Sequence, residues 1–261
     1  MSDVGPATPG GGPGGPWRLD GRVALVTGAS AGLGERFAGV LHAAGAHVVA
    51  TARRGDRLEA LAERCGSRIQ TIAGDIADPH HREAVVELVG RHGRLDVLVN
   101  NAGMCDDGPL QDQTLEDLRR VVEVNLISVL DLCRLASDLL RAAPAASVIN
   151  VASVYGIVAS RSPMAAYNAT KAGLINLSRH LAAVWGGDGV RVNALAPGYF
   201  PTGLTGFLAD PVLARAIGER TLLGRVPTPD ELDGPLLFLA SDASSYMTGQ
   251  TLVIDGGWTA A

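Results

Sequence analysis

Seven short apolar runs, separated by segments long enough for helices, constrain the fold of this chain most. Each run has the length of a strand and is almost continuously apolar, which is typical of strands buried on both faces of a sheet. The alternation predicts βαβ units, and therefore an α/β fold with one doubly wound, seven-stranded parallel sheet. The runs are Val23–Val26, Val48–Ala50, Ile69–Ala73, Val97–Val99, Val148–Val151, Val190–Leu195 and Leu252–Ile254.

Helix signals lie between the runs. Leu33–Ala44 and Tyr167–Leu181 have helical length and spacing, and Thr114 with Asp117 resembles a capping box at the start of a third helix. Because no linker interrupts the alternation, residues 17–261 are predicted to form one domain. Residues 1–16 are rich in glycine and proline, and we expect them to be disordered.

Composition excludes several function classes. The formal net charge of −5 argues against nucleic acid as the main partner, and the apolar runs fall far short of the ~20 residues of a membrane span. The three cysteines Cys65, Cys105 and Cys133 suggest no disulfide framework, and the adjacent His80 and His81 lack a further metal ligand nearby. We therefore expect a cytoplasmic protein with no metal site, and residues 1–16 do not read as a secretory signal.

A glycine-rich turn follows the first strand, with the pattern TGxxxGxG. Gly28 allows the tight turn, Gly32 lets the backbone approach a diphosphate, and Gly34 lets the next helix pack closely. The amino end of that helix favours phosphate, so the turn predicts a dinucleotide site, although an ordinary strand–helix turn remains an alternative. The other predicted contacts in this turn are Ser30, Ala31 and Leu33.

The second strand ends where a dinucleotide-binding protein reads the adenosine ribose. An acidic residue there would accept from the free 2′-hydroxyl of NAD(H), but this chain has Ala52 followed by Arg53 and Arg54. A guanidinium binds a 2′-phosphate by charge-assisted hydrogen bonds. The sequence thus favours NADP(H), with NAD(H) and solvated loop charges as the alternatives.

Three more motifs follow later strands. Asn100–Gly103 reads NNAG, Ser153 follows the fifth strand, and Tyr167 and Lys171 lie one helical turn apart in a YxxxK pattern. With TGxxxGxG and in this order, these motifs resemble the short-chain dehydrogenase/reductase family in its single-domain form, over residues 19–257. The chain is similar to the 3-oxoacyl-carrier-protein reductases and gluconate 5-dehydrogenases of that family.

The resemblance implies a Rossmann-type fold and the interconversion of a ketone and a secondary alcohol by hydride transfer. The family's active-site tetrad matches Asn125, Ser153, Tyr167 and Lys171. Tyr167 would be the general acid/base, with its pKa lowered by Lys171, and Ser153 would donate to the carbonyl oxygen. Lys171 would also hold the nicotinamide ribose, and Asn125 would hold a proton-relaying water.

The remaining expectations also come from the resemblance. The substrate is a small carbonyl compound or alcohol, and the chain forms a homotetramer with dihedral symmetry. From the residues themselves we expect the stretch 199–225 to form the substrate lid, and its apolar side chains predict an apolar pocket. The alternatives are an NAD(H)-dependent alcohol dehydrogenase, a non-catalytic cofactor-sensing module, and other chemistry such as epimerisation or dehydration. The further implied cofactor contacts are Asp75, Ile76, Asn101, Ala102, Gly103, Tyr167, Lys171, Pro197, Gly198 and Thr202.

Overall fold

The seven predicted strands form one sheet in the computed structural model, which describes residues 15, 17–106 and 108–260. The order is β3-β2-β1-β4-β5-β6-β7 and every pair is parallel. The α/β prediction is therefore confirmed, with strand ends moved by at most two residues. The strands are β1 Val23–Thr27, β2 His47–Ala52, β3 Ile69–Ala73, β4 Val97–Asn100, β5 Ser147–Val151, β6 Arg191–Pro197 and β7 Thr251–Ile254.

Helices connect the strands. The capping box at Thr114 is formed as expected, with Asp117 closing it. A π-helical segment, Glu123–Ile127, joins α4 to α5 without a break. The helices are α1 Gly32–Ala43, α2 Gly55–Cys65, α3 Pro79–Gly90, α4 Leu115–Val122, α5 Ser128–Leu135, α6 Ser137–Arg141, α7 Ala165–Trp185, α8 Pro211–Gly218 and α9 Asp233–Ala240. Short 3₁₀ turns are Leu110–Asp112, Val154–Gly156, Gly186–Asp188, Gly203–Ala209, Pro229–Leu232 and Asp242–Ser244.

The sheet separates two apolar cores. Along β1, Val23 and Leu25 belong to one core and Ala24 and Val26 to the other, because successive side chains point to opposite faces. One core contains residues of α3, α5 and α7, and the other contains residues of α1, α2 and α9. The continuous apolar runs are thus explained by burial on both faces.

The strand order reverses between β1 and β4, where the chain leaves β1 for β2 and returns on the other side. In open α/β sheets ligands bind beyond the carboxyl ends of the strands at such a point. The predicted disordered tail lies, apart from Gly15, outside the described residues, and its assignment stays a prediction, as does the domain boundary.

Candidate active site

A cleft of about 520 Å³ opens beyond the carboxyl ends of the strands. All the residues predicted to contact the cofactor lie in its wall, and so do three of the four tetrad residues. They are Gly28, Ser30, Ala31, Gly32, Leu33, Gly34, Arg53, Arg54, Asp75, Ile76, Asn101, Ala102, Gly103, Ser153, Tyr167, Lys171, Pro197, Gly198 and Thr202.

The glycine-rich turn is too tight for side chains at two positions. Gly28 has a φ of 70°, and a Cβ atom there would lie 2.9 Å from the Cα of Ala102. A Cβ atom at Gly34 would lie 2.3 Å from the carbonyl oxygen of Gly28, closer than real contacts allow. The N-cap of α1 is Ala31, whose methyl group cannot accept from the first-turn amides. Those amides are available to an anionic phosphate, so this turn fits a dinucleotide.

The NNAG segment fastens this turn to β4. Thr27 Oγ1 accepts hydrogen bonds from the backbone amides of Asn101 and Ala102, each at 3.0 Å. The Nδ2 of Asn101 donates to the carbonyl oxygen of Thr27 at 2.9 Å. The Asn101 side chain thus holds the turn in shape, while the residue lies in the wall of the cleft.

Two arginines border the same turn. Arg54 donates to the Oγ of Ser30 at 3.1 and 3.2 Å and to its carbonyl oxygen at 3.2 Å. Arg53 is exposed and forms no ion pair within the described part of the chain. The site therefore has a guanidinium bound to the turn and a second one beside it.

Asp75 has a partner that the sequence did not reveal. Its Oδ1 accepts from the Ala77 amide at 3.0 Å, and Arg120 on α4 forms an ion pair with Oδ2. Burial alone would raise the pKa of Asp75, but the Ala77 amide and Arg120 lower it overall. Asp75 is therefore ionised, and Arg120 is a further residue of the cleft wall.

The Ser153, Tyr167 and Lys171 side chains converge at the other end of the cleft. Ser153 N-caps the 3₁₀ turn after β5 and hydrogen-bonds Tyr167, which lies in the first turn of α7. Lys171 is buried, donates from Nζ to the carbonyl oxygen of Val151 at 2.7 Å, and places Nζ 5.6 Å from the centre of the Tyr167 ring. A phenol, a hydroxyl and an amine thus face the same space.

Burial has the largest effect on the pKa values of Tyr167 and Lys171. It raises the pKa of Tyr167 to about 12, against the opposing effect of the Ser153 hydrogen bond. It also lowers the pKa of Lys171 to about 8. The expected lowering of the Tyr167 pKa by Lys171 stays a prediction, since burial disfavours the charged form of each of the two side chains. With this pKa, Tyr167 is protonated at neutral pH.

Asn125 lies behind the cleft wall. It sits in the π-helical segment, a feature frequent at functional sites. Its Oδ1 accepts from the Met104 amide at 2.9 Å, and its Nδ2 donates to the Met104 carbonyl at 2.8 Å and to Thr170 Oγ1 at 3.1 Å. Asn125 therefore joins the segment after NNAG to α7, and its predicted role in holding a water stays a prediction.

Asp106 is a site residue that sequence reasoning missed. Its carboxylate accepts from the backbone amides of Ala166 at 3.0 Å and Tyr167 at 2.9 Å, at the start of α7. The N-cap of α7, Met164, offers no side-chain cap. A helix start with no capping residue was the available signal that a cap comes from elsewhere.

The cysteines and histidines form no metal centre in the described ranges. His81 instead hydrogen-bonds Thr51 at 2.7 Å and lies against Gly74, so it supports the strand ends from behind. Within the same ranges no helix has the length and apolar character of a membrane span.

Comparison with known proteins then decides the family. A family model described as enoyl-(acyl carrier protein) reductase matches residues 28–259. This chain belongs to the short-chain dehydrogenase/reductase family. It is 37% identical to the 3-oxoacyl-[acyl-carrier-protein] reductase of Thermotoga maritima, covering 92% of this chain and 98% of that protein. It is also 37% identical to a tropinone reductase homolog from Arabidopsis thaliana, covering 92% and 91%.

Solved structures agree. A gluconate 5-dehydrogenase from Burkholderia cenocepacia, in complex with NADP and tartrate, superposes with a TM-score of 0.87 at 36% identity, covering 94% of this chain and 98% of that one. The predicted family and fold are thereby confirmed, and the chain is an oxidoreductase of this family. NADP in such neighbours supports a nicotinamide cofactor.

Proposed function

We propose that this short-chain dehydrogenase/reductase interconverts a ketone and a secondary alcohol with NADP(H), using Tyr167 as the general acid/base. The observation that carries the proposal is the convergence of Ser153, Tyr167 and Lys171 at one end of a cleft whose other end has the glycine turn and two arginines. The separation of the two ends suits an extended dinucleotide with its reactive ring beside Tyr167.

The residues of the chain divide the chemistry between them. A bound nicotinamide would supply or accept the hydride. In reduction, the neutral Tyr167 hydroxyl donates its proton to the substrate oxygen, while Ser153 donates a hydrogen bond to that oxygen as negative charge develops. Lys171, when protonated, stabilises the tyrosine oxygen after it has lost its proton. In oxidation, Tyr167 takes the proton back.

Coenzyme choice rests on the end of β2. Ala52 offers no acceptor to a free 2′-hydroxyl, whereas Arg53 and Arg54 add positive charge where a 2′-phosphate would lie. NADP in the related gluconate 5-dehydrogenase structure supports this choice. NAD(H) is the alternative, and the rates with the two coenzymes decide between them.

The edge strand β7 bears on how copies of this chain assemble. β7 lies at the edge of the sheet, and its apolar residues Leu252, Val253 and Ile254 are only partly buried in one chain. Such a strand supports packing across a two-fold axis, and we infer a homotetramer with dihedral symmetry in the cytoplasm. Light scattering at micromolar concentration tests it, and a monomer would refute it.

An activity screen tests the central proposal. The purified chain is mixed with NADPH or NADH and with ketones that the relatives' names suggest, namely a 3-oxoacyl thioester, tropinone and 5-ketogluconate, and coenzyme absorbance is followed. We expect turnover with NADPH, and a Tyr167→Phe variant that loses at least about 100-fold in rate but still binds NADPH by fluorescence. Tyr167→Phe activity within a few-fold of wild type would sink the assignment, and coenzyme binding with no turnover on any ketone would favour the cofactor-sensing alternative.

A further inference from the structure

A second cavity, of about 650 Å³, has Tyr155 and Tyr199 in its wall, and both lie close enough to Tyr167 for an electrostatic interaction. Three separate parts of the chain form it, namely the loop after β5, the lid after β6 and the carboxyl-terminal segment. We call it the outer chamber. Its main lining residues are Tyr155, Arg161, Tyr199, Arg220 and Trp258.

Tyr155 connects the outer chamber to Ser153 and to Tyr199. The backbone amide of Tyr155 donates to Ser153 Oγ at 3.1 Å, and the Tyr155 hydroxyl hydrogen-bonds that of Tyr199. Tyr155 also lies close enough to Tyr167 to raise its pKa, after the larger effect of burial. A substrate whose oxygen meets Ser153 and Tyr167 would therefore lie close to Tyr155, a residue of the chamber wall.

The charge in this chamber is of one sign. Among the described residues its charged lining residues are Arg161 and Arg220 alone, and its other polar groups are hydroxyls of serine and tyrosine and the indole N–H of Trp258. Over the described ranges neither arginine has a carboxylate within ion-pair distance, whereas most other arginines do. The chain as a whole carries a net charge of −5, so this positive pocket runs against the overall charge.

Nearby carboxylates are engaged elsewhere. Glu219, adjacent to Arg220 in sequence, pairs with Arg215 at 2.7 Å, and Glu231 pairs with Arg225 at 2.6 Å. Asp255 accepts from the amide of Thr259 at 2.9 Å and from its hydroxyl at 2.7 Å. The two chamber arginines therefore keep their positive charge available for a ligand.

Arg220 is held in place by an aromatic stack. Its guanidinium lies 4.0 Å from the centre of the Trp258 ring, and Trp258 packs edge-on against Tyr199 with ring centres 4.9 Å apart. A stacked guanidinium leaves its edge free for a bidentate acceptor. The stretch after β6 thus contributes an exposed cationic side chain to the chamber wall.

We propose that the outer chamber binds an anionic group of the substrate through Arg220 and Arg161, so that the substrate is a ketone or alcohol that also carries a carboxylate. This inference rests on the proposed function, because it describes the same reaction. A phosphate ester offers the same acceptor chemistry, and one arm of the test separates the two.

Kinetics with matched ketones test the proposal. The probes are 4-oxopentanoate, 5-oxohexanoate and 6-oxoheptanoate, each beside its neutral primary amide, with dihydroxyacetone phosphate beside dihydroxyacetone as the phosphate arm. For at least one length we expect kcat/KM for the acid to exceed that for the amide by about tenfold. In Arg220→Gln and Arg161→Gln we expect this ratio to fall towards one because KM for the acid rises. The kcat/KM for the amide should stay unchanged. A preference confined to the phosphate would overturn the carboxylate assignment.

The control variant is Arg179→Gln. Arg179 is exposed on α7, away from the chamber lining, and should leave the ratio unchanged. An acid-to-amide ratio near one at every length, or a ratio that Arg220→Gln and Arg161→Gln leave intact, would overturn the proposal. A loss on acid and amide alike would mean that the arginines only support the lid, which also overturns it.

Binding separates failure of this inference from failure of the proposed function. Trp258 contacts Arg220, so 5-oxohexanoate bound there should change tryptophan fluorescence, with Trp258→Phe as the background. We expect saturable binding of the acid, at least about fivefold weaker binding of the amide, and loss of the difference in Arg220→Gln. This measurement needs no turnover. Equal binding of acid and amide would contradict the chamber even if the enzyme reduces ketones.

Discussion

The glycine-turn end of the cleft and the outer chamber are built in different ways. The glycine-turn end is formed by strand ends and backbone, and a Cβ atom at Gly28 or Gly34 would meet other backbone atoms at 2.9 Å or less. The outer chamber is formed by side chains from three loops, and the lid beside it exposes 55% of Leu204 and 42% of Phe207. Backbone held by the core tolerates little change, whereas loop side chains change without altering the fold.

From this difference we infer which part of the site the relatives share and which part they vary. Relatives named for a 3-oxoacyl thioester, tropinone and gluconate have the same family and match nearly the whole chain. We expect the glycine turn, which is fixed by backbone contacts, to bind the coenzyme that such relatives share, and the outer chamber, which is made of side chains, to bind the substrates that differ between them. The following predictions test this division.

Adding one methyl group should have very different effects at the two ends. In Gly34→Ala the new Cβ would lie 2.3 Å from the Gly28 carbonyl oxygen, so backbone must move. We expect a loss of about 3 kcal/mol, seen as a lower denaturation midpoint and about 100-fold lower kcat/KM for NADPH.

The matched variant is Gly206→Ala in the lid, where a Cβ would meet no atom within 4 Å. It should leave the denaturation midpoint and kcat/KM for NADPH nearly unchanged, because alanine suits a helical position better than glycine does. Equal damage by both variants would contradict the proposed division.

Coenzyme preference should reverse with two changes at the end of β2. In Ala52→Asp with Arg53→Ser, the new carboxylate accepts from a free 2′-hydroxyl and repels a 2′-phosphate. Hydrogen bonds to charged groups contribute ~1.5–3 kcal/mol, so the ratio of kcat/KM for NADPH over NADH should fall roughly 10- to 150-fold. A wild-type enzyme that prefers NADH would show that Arg53 and Arg54 are surface charges.

The sequence predicts the parts of the site that are local in the chain and misses the parts that join distant residues. The strands, the glycine turn and the Ser153, Tyr167 and Lys171 positions were predicted, because apolar runs and strand-end motifs are local in sequence. Arg120 beside Asp75 and the outer chamber were not, because they bring together residues far apart in the chain. The raised pKa of Tyr167 was also missed, since burial is a property of the folded chain.

The pH dependence of reduction should report Lys171. Burial lowers its pKa to about 8, so it is charged below that pH and loses its proton as the pH rises through 8. The pKa of Tyr167, raised to about 12, keeps the proton donor intact over this range. We therefore expect kcat/KM for ketone reduction to bend downward near pH 8 and to fall about tenfold for each further pH unit.

The arginines of the outer chamber do not titrate in this range, so Arg220→Gln should show the same bend on a neutral ketone. Circular dichroism across the same pH range controls for unfolding. A flat profile to pH 9.5 would mean that the charge on Lys171 is not required for reduction.

The smallest expected effect concerns Asp106, which links the segment after NNAG to the catalytic helix. Its carboxylate accepts from the amides of Ala166 and Tyr167, and it receives a further hydrogen bond from Gln113 at 3.3 Å.

Asp106→Asn keeps one acceptor oxygen but loses the negative charge at the amino end of α7, an interaction worth about 0.3–1 kcal/mol. Because that helix carries Tyr167, kcat for reduction should fall about threefold, while the dissociation constant of NADPH stays unchanged. In Asp106→Asn the side-chain amide can also rotate so that its NH₂ group faces a backbone N–H, and Asp106→Ser therefore serves as the second variant. A serine side chain is too short to accept from both amides. The kcat of Asp106→Ser should therefore be lower than that of Asp106→Asn, with the same NADPH affinity. Weaker NADPH binding with an unchanged kcat in both variants would assign Asp106 to the coenzyme end of the cleft instead of the catalytic helix.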